Sequence, residues 1–294
     1  MSQMSHASAL VGPPLASGVI RLTGRDVATV LHNISTQSLL DLAPGEARLA
    51  LLCDFRGRLL HRAHTARLAD GSVWMAREDG GGAGLKSTLD RAVFREDVRV
   101  EDLSARLSVA TEWPGAPPAA GRVDEERGRP ARIEIPGGPT LRIGDAAGAA
   151  GPDANAWNTE RIERGWAAHG HEVSEAFTPF DVNLGAGVHL DKGCFTGQET
   201  LMRLVTYGNL RRRLVRMRGA GVPPAAAPLR DGTGAEVGAL TSVIVTREGW
   251  TALAVAKQVA APEGAELVMT DGRTATVERV FPFAQPAGRL LRES

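Results

Sequence analysis

Asp191-Lys192-Gly193-Cys194-Phe195-Thr196-Gly197-Gln198-Glu199 is the densest run of chemically useful side chains in this chain of 294 residues. Glycines stand immediately before the cysteine and three residues after it, so the backbone is free to turn tightly and leave the thiol accessible. Lys192 is placed to lower the pKa of a nearby thiol and raise its thiolate fraction. A buried structural cysteine is the competing reading, because an unpaired cysteine also behaves as a small hydrophobe. Cys53 sits in an apolar run and reads as core. The two cysteines are far apart and match no paired metal spacing, which points to a reducing, cytoplasmic setting.

Composition bounds what surrounds this segment. At roughly 150 residues per domain the chain has room for about two or three. Hydrophobic residues make up 43% and charged residues 23%, enough apolar side chain for real cores and against wholesale disorder. Lys+Arg and Asp+Glu both number 34, so no global field draws nucleic acid or an anionic membrane. No apolar run approaches the roughly 20 residues of a bilayer span, and residues 1–9 lack the basic and apolar regions of a signal peptide. Lys86, Lys192 and Lys257 are lysines, and the rest of the 34 basic residues are arginine. A lysine that survives such a bias is a better candidate for a specific role.

Short strands and helices interleave. Val19 to Leu22 is a β-like run leading through Thr23-Gly24-Arg25-Asp26 into a helical pattern at Val27, Val30 and Leu31. Residues 48–53 and 57–68 read as strands around Asp54-Phe55-Arg56-Gly57, and residues 73–75 as a third. Glycines at 80, 81, 82 and 84 precede a helical face at Leu85, Leu89, Ala92 and Val93. They lack the Gly-Lys-Ser/Thr ending of a phosphate loop and read as a turn. Residues 98–100, 107–111 and 132–135 continue the sheet, which gives an α+β unit of ferredoxin type. The Pro/Gly stretch 113–121 is a surface loop, and residues 155–166 form a helix with Asp153 or Asn155 available as its cap. Residues 219–228 read as a linker. Runs at 236–246, 250–255, 267–270 and 274–280 predict a small antiparallel barrel.

Other candidates carry bland alternatives. In Arg161-Ile162-Glu163-Arg164-Gly165 the carboxylate can accept two parallel hydrogen bonds from an amidine-like edge, or make a helix-surface ion pair. His169 with His171, and His61 with His64, lack the cysteine or carboxylate neighbours of a zinc site, so no metal is expected. Arg211-Arg212-Arg213 with Arg216 and Arg218 is a local basic run. Without interleaved aromatics to stack bases it reads as a solvated barrel edge rather than a direct nucleic-acid contact.

Lys192-Gly193-Cys194-Phe195-Thr196-Gly197-Gln198-Glu199 closely resembles the K-G-C-[FY]-x-G-Q-E signature of the YgfZ family, folate-binding proteins related to the T-protein (aminomethyltransferase) of the glycine cleavage system. Leu22-Thr23-Gly24-Arg25-Asp26 with Leu31 and Thr36 resembles that family's N-terminal element. Arg161-x-Glu163-x-Gly165 resembles its R-x-E-x-G, Asn183-Leu184 its N-L, and residues 234–254 its barrel pattern. The resemblance implies two ferredoxin-like α+β units and a C-terminal antiparallel β-barrel arranged in a ring. The first unit would be discontinuous, residues 9–48 and 152–215, with 49–151 inserted and 216–294 as the barrel. It also implies a tetrahydrofolate site. Glu163 would hold the pterin edge, with Asn183 and Gln198 as further ligand contacts. Arg203 and residues 211–213 are candidates for the anionic glutamate tail.

Departures select the branch. T-proteins carry G-G-x-x-D-D after the second strand, and a carboxylate there is central to aminomethyl transfer. Here the stretch is Gly57-Arg58-Leu59-Leu60-His61-Arg62, so the developing amine has no charged partner. Phe195 also replaces the commoner tyrosine. The expectation is a cytoplasmic folate-binding accessory protein, not an enzyme, with Cys194 as functional thiol and Lys192 beside it. Its partners would be iron–sulfur proteins or their assembly factors. A partner in tRNA modification that uses the arginine run is a further reading. A folate-dependent one-carbon transferase using another base, such as His61, is the alternative.

Overall fold

A computed structural model of the chain describes residues 17–146, 153–208, 210–223 and 227–288. Its first sheet comprises β1 (Gly18–Thr23), β2 (Ala47–Cys53), β3 (Leu59–Arg67), β4 (Val73–Arg77) and β5 (Arg99–Asp102). They pair antiparallel in the order β2-β3-β4-β1-β5. Helix α1 (Val27–Ile34) follows β1, and α2 (Gly82–Ala92) joins β4 to β5.

Successive side chains leave opposite faces of a strand, and here each face feeds its own core. Val19, Leu49, Leu51, Cys53, Trp74 and Ala76 enter the large central cluster. Their neighbours Ile20, Leu22, Ala50, Leu52, Val73 and Met75 enter a second cluster, closed by Val27 and Leu31 of α1 and Leu85 and Leu89 of α2. The helical pairs are four residues apart and so share one stripe. Because β4 and β5 both lie antiparallel to β1 and flank it, α2 completes the split βαβ arrangement of ferredoxin-like units. Gly24, with φ +126°, turns β1 into α1 where an added Cβ would lie 2.0 Å from the Asp97 carbonyl oxygen.

A second sheet, β6 (Leu107–Glu112), β7 (Arg122–Glu126), β8 (Arg129–Glu134) and β9 (Thr140–Asp145), has the order β6-β9-β8-β7. Val109, Ile133, Leu141 and Ile143 line the same central cluster as the open face of the first sheet. Then come α3 (Ala154–Arg164), capped by the Asp153 carboxylate on the Asn155 N–H at 3.0 Å, and α4 (Gln198–Thr206).

The barrel closes β10 (Arg212–Gly219), β11 (Pro228–Arg230), β12 (Glu236–Thr246), β13 (Gly249–Lys257), β14 (Glu266–Met269) and β15 (Thr274–Val280) in the order β10-β13-β12-β11-β14-β15. Alternation also docks it. Val215, Met217, Ala252, Ala254 and Ala256 fill its interior, while Leu214, Leu253 and Val255 point outward into the central cluster.

The architecture is the expected α+β fold with a closed C-terminal barrel, and several boundaries differ. The division at 48/49 falls inside β2, whose sheet joins residues on both sides of it, and that at 215/216 falls inside β10. Residues 107–111 and 132–135 form a separate sheet rather than continuing the first. The stretch 219–228 connects two barrel strands instead of leading into the barrel, and its residues 224–226 lie outside the described residues, as do 9–16, 147–152 and 289–294. A closed barrel has no edge, so the arginines of β10 do not guard one. No helix among the described residues is long and apolar enough to cross a membrane.

Candidate functional site

The cysteine loop is anchored from both sides. On one side the Lys192 ammonium donates to the His32 main-chain carbonyl, the Lys192 carbonyl lies 2.8 Å from His32 Nε2, and the Thr196 N–H reaches the Asn33 carbonyl at 3.3 Å. On the other, Gly197 with φ +83° is pressed on the β2–β3 turn: a Cβ there would meet the Asp54 carbonyl oxygen at 2.5 Å and Gly57 Cα at 3.0 Å. Phe195 is buried between these anchors, and Cys194 is exposed. Cys53 is buried in β2, and burial pushes its thiol well above the ordinary range.

Lys192 is half-buried, and burial lowers its pKa to about 8. Its ammonium also lies 5.0 Å from the centre of the Phe195 ring. It is thus held by a carbonyl and a ring face, and among the described residues no hydrogen bond joins it to Cys194.

The Arg161-x-Glu163-x-Gly165 spacing is resolved into separate tasks. Two residues apart on a helix face opposite ways. Arg161 turns inward, fully buried, and donates to Glu172 at 3.2 Å and to Ser242 Oγ at 2.9 Å. Glu163 turns outward and presents its carboxylate to solvent, while its main-chain carbonyl accepts from Arg216 at 3.3 Å. Gly165 ends α3 in the left-handed conformation against the Phe281 ring.

The remaining candidates are dispersed. Gln198 opens α4, with its N–H on the Phe195 carbonyl at 3.1 Å. Arg203 is exposed and paired with Glu199 at 2.5 Å. Asn183 adopts φ +61° in a turn. Arg212 pairs with Asp181 at 2.8 Å, and Arg213 lies over the Phe283 ring at 4.3 Å. The fold therefore gathers Lys192, Cys194, Gln198 and Arg203 on one loop and helix, and sets Glu163 at the junction of α3 with β10.

Arg62, beside His61 on β3, is buried in a charge network. Arg62 bonds Glu78 at 2.7 Å and Asp79 at 2.5 Å, with its guanidinium 4.5 Å from the centre of the Trp166 ring. The Trp166 indole donates to Glu78 at 2.9 Å, and the His169 N–H to Asp79 at 2.8 Å. Burial pushes the Asp79 carboxyl up, but Arg62, the His169 N–H and Arg77 reverse this and hold it below its ordinary value. A second network runs from Arg161 through Glu172 to the Thr241 and Ser242 hydroxyls, tying α3 to the barrel. Both escape a reading by motif, because their members lie in separate elements. The available signals are Arg62 within an otherwise buried strand and Glu78-Asp79 directly after another.

Both ring nitrogens of His61 are engaged. Arginine only donates, so the 3.1 Å contact from Arg77 makes His61 Nδ1 the acceptor, and Nε2 carries its proton toward Thr88 Oγ1 at 2.9 Å. Burial, then Arg77 and His169, lower its pKa to about 3. His61 stacks on His169 at 5.6 Å, while His64 bonds the Pro139 carbonyl and His171 the Thr241 carbonyl, both at 2.9 Å.

No family model matches the chain. It is similar to an aminomethyltransferase of Halothermothrix orenii, 31% identical over 104 residues, covering 35% of this chain and 29% of that protein. Against an aminomethyltransferase of Streptomyces avermitilis it is 26% identical over 266 residues, covering 76% and 71%. Against the tRNA-modifying protein YgfZ of Edwardsiella ictaluri it is 26% identical over 234 residues, covering 68% of each. For three relatives of 31% to 35% identity, the match spans only 24% to 31% of the relative's own length. In three dimensions the chain superposes on the glycine cleavage system aminomethyltransferase T from Bartonella henselae with a TM-score of 0.68 at 18% identity, covering 90% of this chain and 83% of that one.

Proposed function

We propose that this chain is a YgfZ-type relative of the aminomethyltransferases, a tetrahydrofolate-binding accessory protein supporting the assembly or maintenance of iron–sulfur proteins, with Cys194 as its functional thiol. The observation that carries the reading is a contrast between two positions. Cys194 is exposed on a loop anchored at both ends, whereas the positions that the resemblance sets against the transferase acids, His61 and Arg62, are buried, the first hydrogen-bonded at both ring nitrogens and the second ion-paired.

The ligand edge fits in chemical type. Glu163 offers two open carboxylate oxygens at the end of a capped helix, the arrangement that an amidine-like pterin edge meets with two parallel N–H donors. Arg216 holds the Glu163 carbonyl and the Arg161–Glu172–Ser242 network holds the helix, so the carboxylate is carried on a fixed support. A bound reduced folate would supply a carrier for one-carbon units. The one-carbon transferase reading is disfavoured by the engagement of both His61 nitrogens.

Calorimetric titration of tetrahydrofolate into the wild type and Glu163→Ala tests this. Binding by the wild type that the variant loses is the expected result. A wild type that binds no folate would leave an inherited fold with the thiol as its remaining lead. Aminomethyl transfer with a lipoyl carrier protein should be undetectable, and clear turnover would end the accessory-protein reading.

A further inference from the structure

We propose that residues 281–288 form a strap through which a ligand held at Glu163 fixes the cysteine loop, so that folate occupancy sets the position in which Cys194 is presented. The inference rests on the folate reading above and concerns how the two halves of that site are coupled.

The strap leaves the barrel after β15 and touches both halves. At its start the Phe281 N–H donates to the Leu214 carbonyl at 3.1 Å. The Phe281 ring is seated on Gly165, where an added Cβ would lie 2.6 Å from it, and Gly165 ends α3 two residues after Glu163. In the middle, Arg213 covers the Phe283 ring at 4.3 Å, and Gly185 leaves no room for a Cβ beneath the Ala284 carbonyl. At the far end the Leu190 N–H donates to the Ala287 carbonyl at 2.9 Å, and the Ala287 N–H to the Val188 carbonyl at 2.8 Å. Gly288, with φ +87°, lies on Asp191, where a Cβ would be 2.8 Å from a carboxylate oxygen and 3.0 Å from the main-chain nitrogen. Lys192 and the cysteine loop follow directly.

Residues 188–190 are thereby held on two flanks. Opposite the strap, the His189 N–H donates to the Thr36 carbonyl at 2.8 Å, and Thr36 Oγ1 to the Gly187 carbonyl at 2.6 Å. Thr36 follows α1, whose His32 clasps Lys192. The cysteine loop therefore departs from a segment fixed by α1 on one side and by the strap on the other. The strap is unevenly held. Phe281 is 3% exposed, whereas Ala287 and Gly288 are exposed, and exposed main-chain contacts open at low free-energy cost. Two states follow, docked and released at residues 287–288. Because Phe281, Phe283 and Ala284 are packed in succession, a shift at the end of α3 moves the strap as one piece. A ligand on Glu163 that fixes that end favours the docked state, and shifts the balance only by its preference for it.

Hydrogen exchange read by mass spectrometry tests the coupling on the wild type, Gly288→Val and Ala287→Pro, each with and without saturating tetrahydrofolate. Gly288→Val drives the strap off Asp191, and Ala287→Pro removes the N–H that bonds Val188. In the wild type, tetrahydrofolate should slow exchange in peptides spanning residues 187–198 by about fivefold. Both variants should bind tetrahydrofolate, exchange faster in that segment without it, and lose the slowing, with peptides of β2 unchanged. Slowing that persists in full in both variants would mean that the ligand shields the loop directly, and would overturn the strap. So would a wild type that binds tetrahydrofolate with no slowing, or ligand-free exchange equal in all three proteins; either leaves Glu163 standing. A wild type that binds no tetrahydrofolate would overturn the folate reading and the coupling together.

Discussion

Lys192 and His32 hold each other twice: the lysine ammonium donates to the His32 carbonyl, and the His32 ring bonds the Lys192 carbonyl at 2.8 Å. The Leu39 N–H donates to His32 Nδ1 at 3.2 Å, which fixes the proton on Nε2 and makes the ring the donor. The clasp ties the C-terminal turn of α1 to the first residue of the cysteine loop's signature.

An amine whose pKa burial lowers, held by a carbonyl, should react ahead of one paired with a carboxylate. Burial lowers the Lys192 pKa to about 8. Lys86 is paired with Asp90 at 2.5 Å, and Lys257 with the Glu236 carbonyl at 3.0 Å. Acylation at about pH 8.5, followed by peptide mass spectrometry, should label Lys192 ahead of Lys86. The reverse order would show that access, not protonation, governs these amines.

The two thiols should separate by rate. Cys194 is exposed, whereas Cys53 is buried with its thiol pushed up by burial. An alkylating probe should modify Cys194 in the native protein and reach Cys53 only through opening of the first sheet, so mild denaturant should accelerate Cys53 alone. Equal native rates would remove the case for Cys194 as an accessible thiol.

The sequence was most legible where one face of an element decides it. Short β-like runs beside turn residues mark β1, β2 and β4, and helical spacing of apolar residues marks α1 and α2. Alternation gives a strand its faces but not its neighbours, which is why residues 107–111 and 132–135 were read into the first sheet and the boundary was drawn through β2. The same limit made the β10 arginines an edge, although closure gives that strand partners on both sides, β13 and β15. At the site, the exposure of Cys194 follows from its glycines. The networks of Arg62 and Arg161 depend on contacts between residues up to 90 positions apart, and no local pattern encodes those.

Arg62→Met should be among the most damaging single substitutions. The guanidinium is 1% exposed between Glu78 at 0% and Asp79 at 2%, so its removal leaves two buried carboxylates uncompensated. Breaking such a pair costs about 3–5 kcal/mol. Urea unfolding should read that loss, and adding Glu78→Gln and Asp79→Asn to Arg62→Met should recover part of it. A loss below about 1 kcal/mol would mean that neither acid is ionised in the folded protein.

Acid should weaken the protein before its carboxylates titrate. Burial lowers the pKa values of His61 and His64 to about 3, from an ordinary value of 6.5. Between those values the unfolded chain binds the protons that the folded chain refuses. Stability therefore rises with pH across this window and falls as pH drops from 6.5 toward 3, by up to about 1.4 kcal/mol per pH unit for each ring. Asp79 and Glu172, held below their ordinary values by their arginine and hydrogen-bond partners despite burial, add to the loss only below about pH 4.5. Melting temperatures between about pH 7 and pH 5 thus isolate the histidines. The melting temperature of the wild type should fall steadily over that range. His64→Gln, whose amide can still donate to the Pro139 carbonyl, should reduce the slope by one ring's share. A flat wild-type profile would show that these rings accept protons in the folded state, and an unchanged slope in His64→Gln would assign the effect elsewhere.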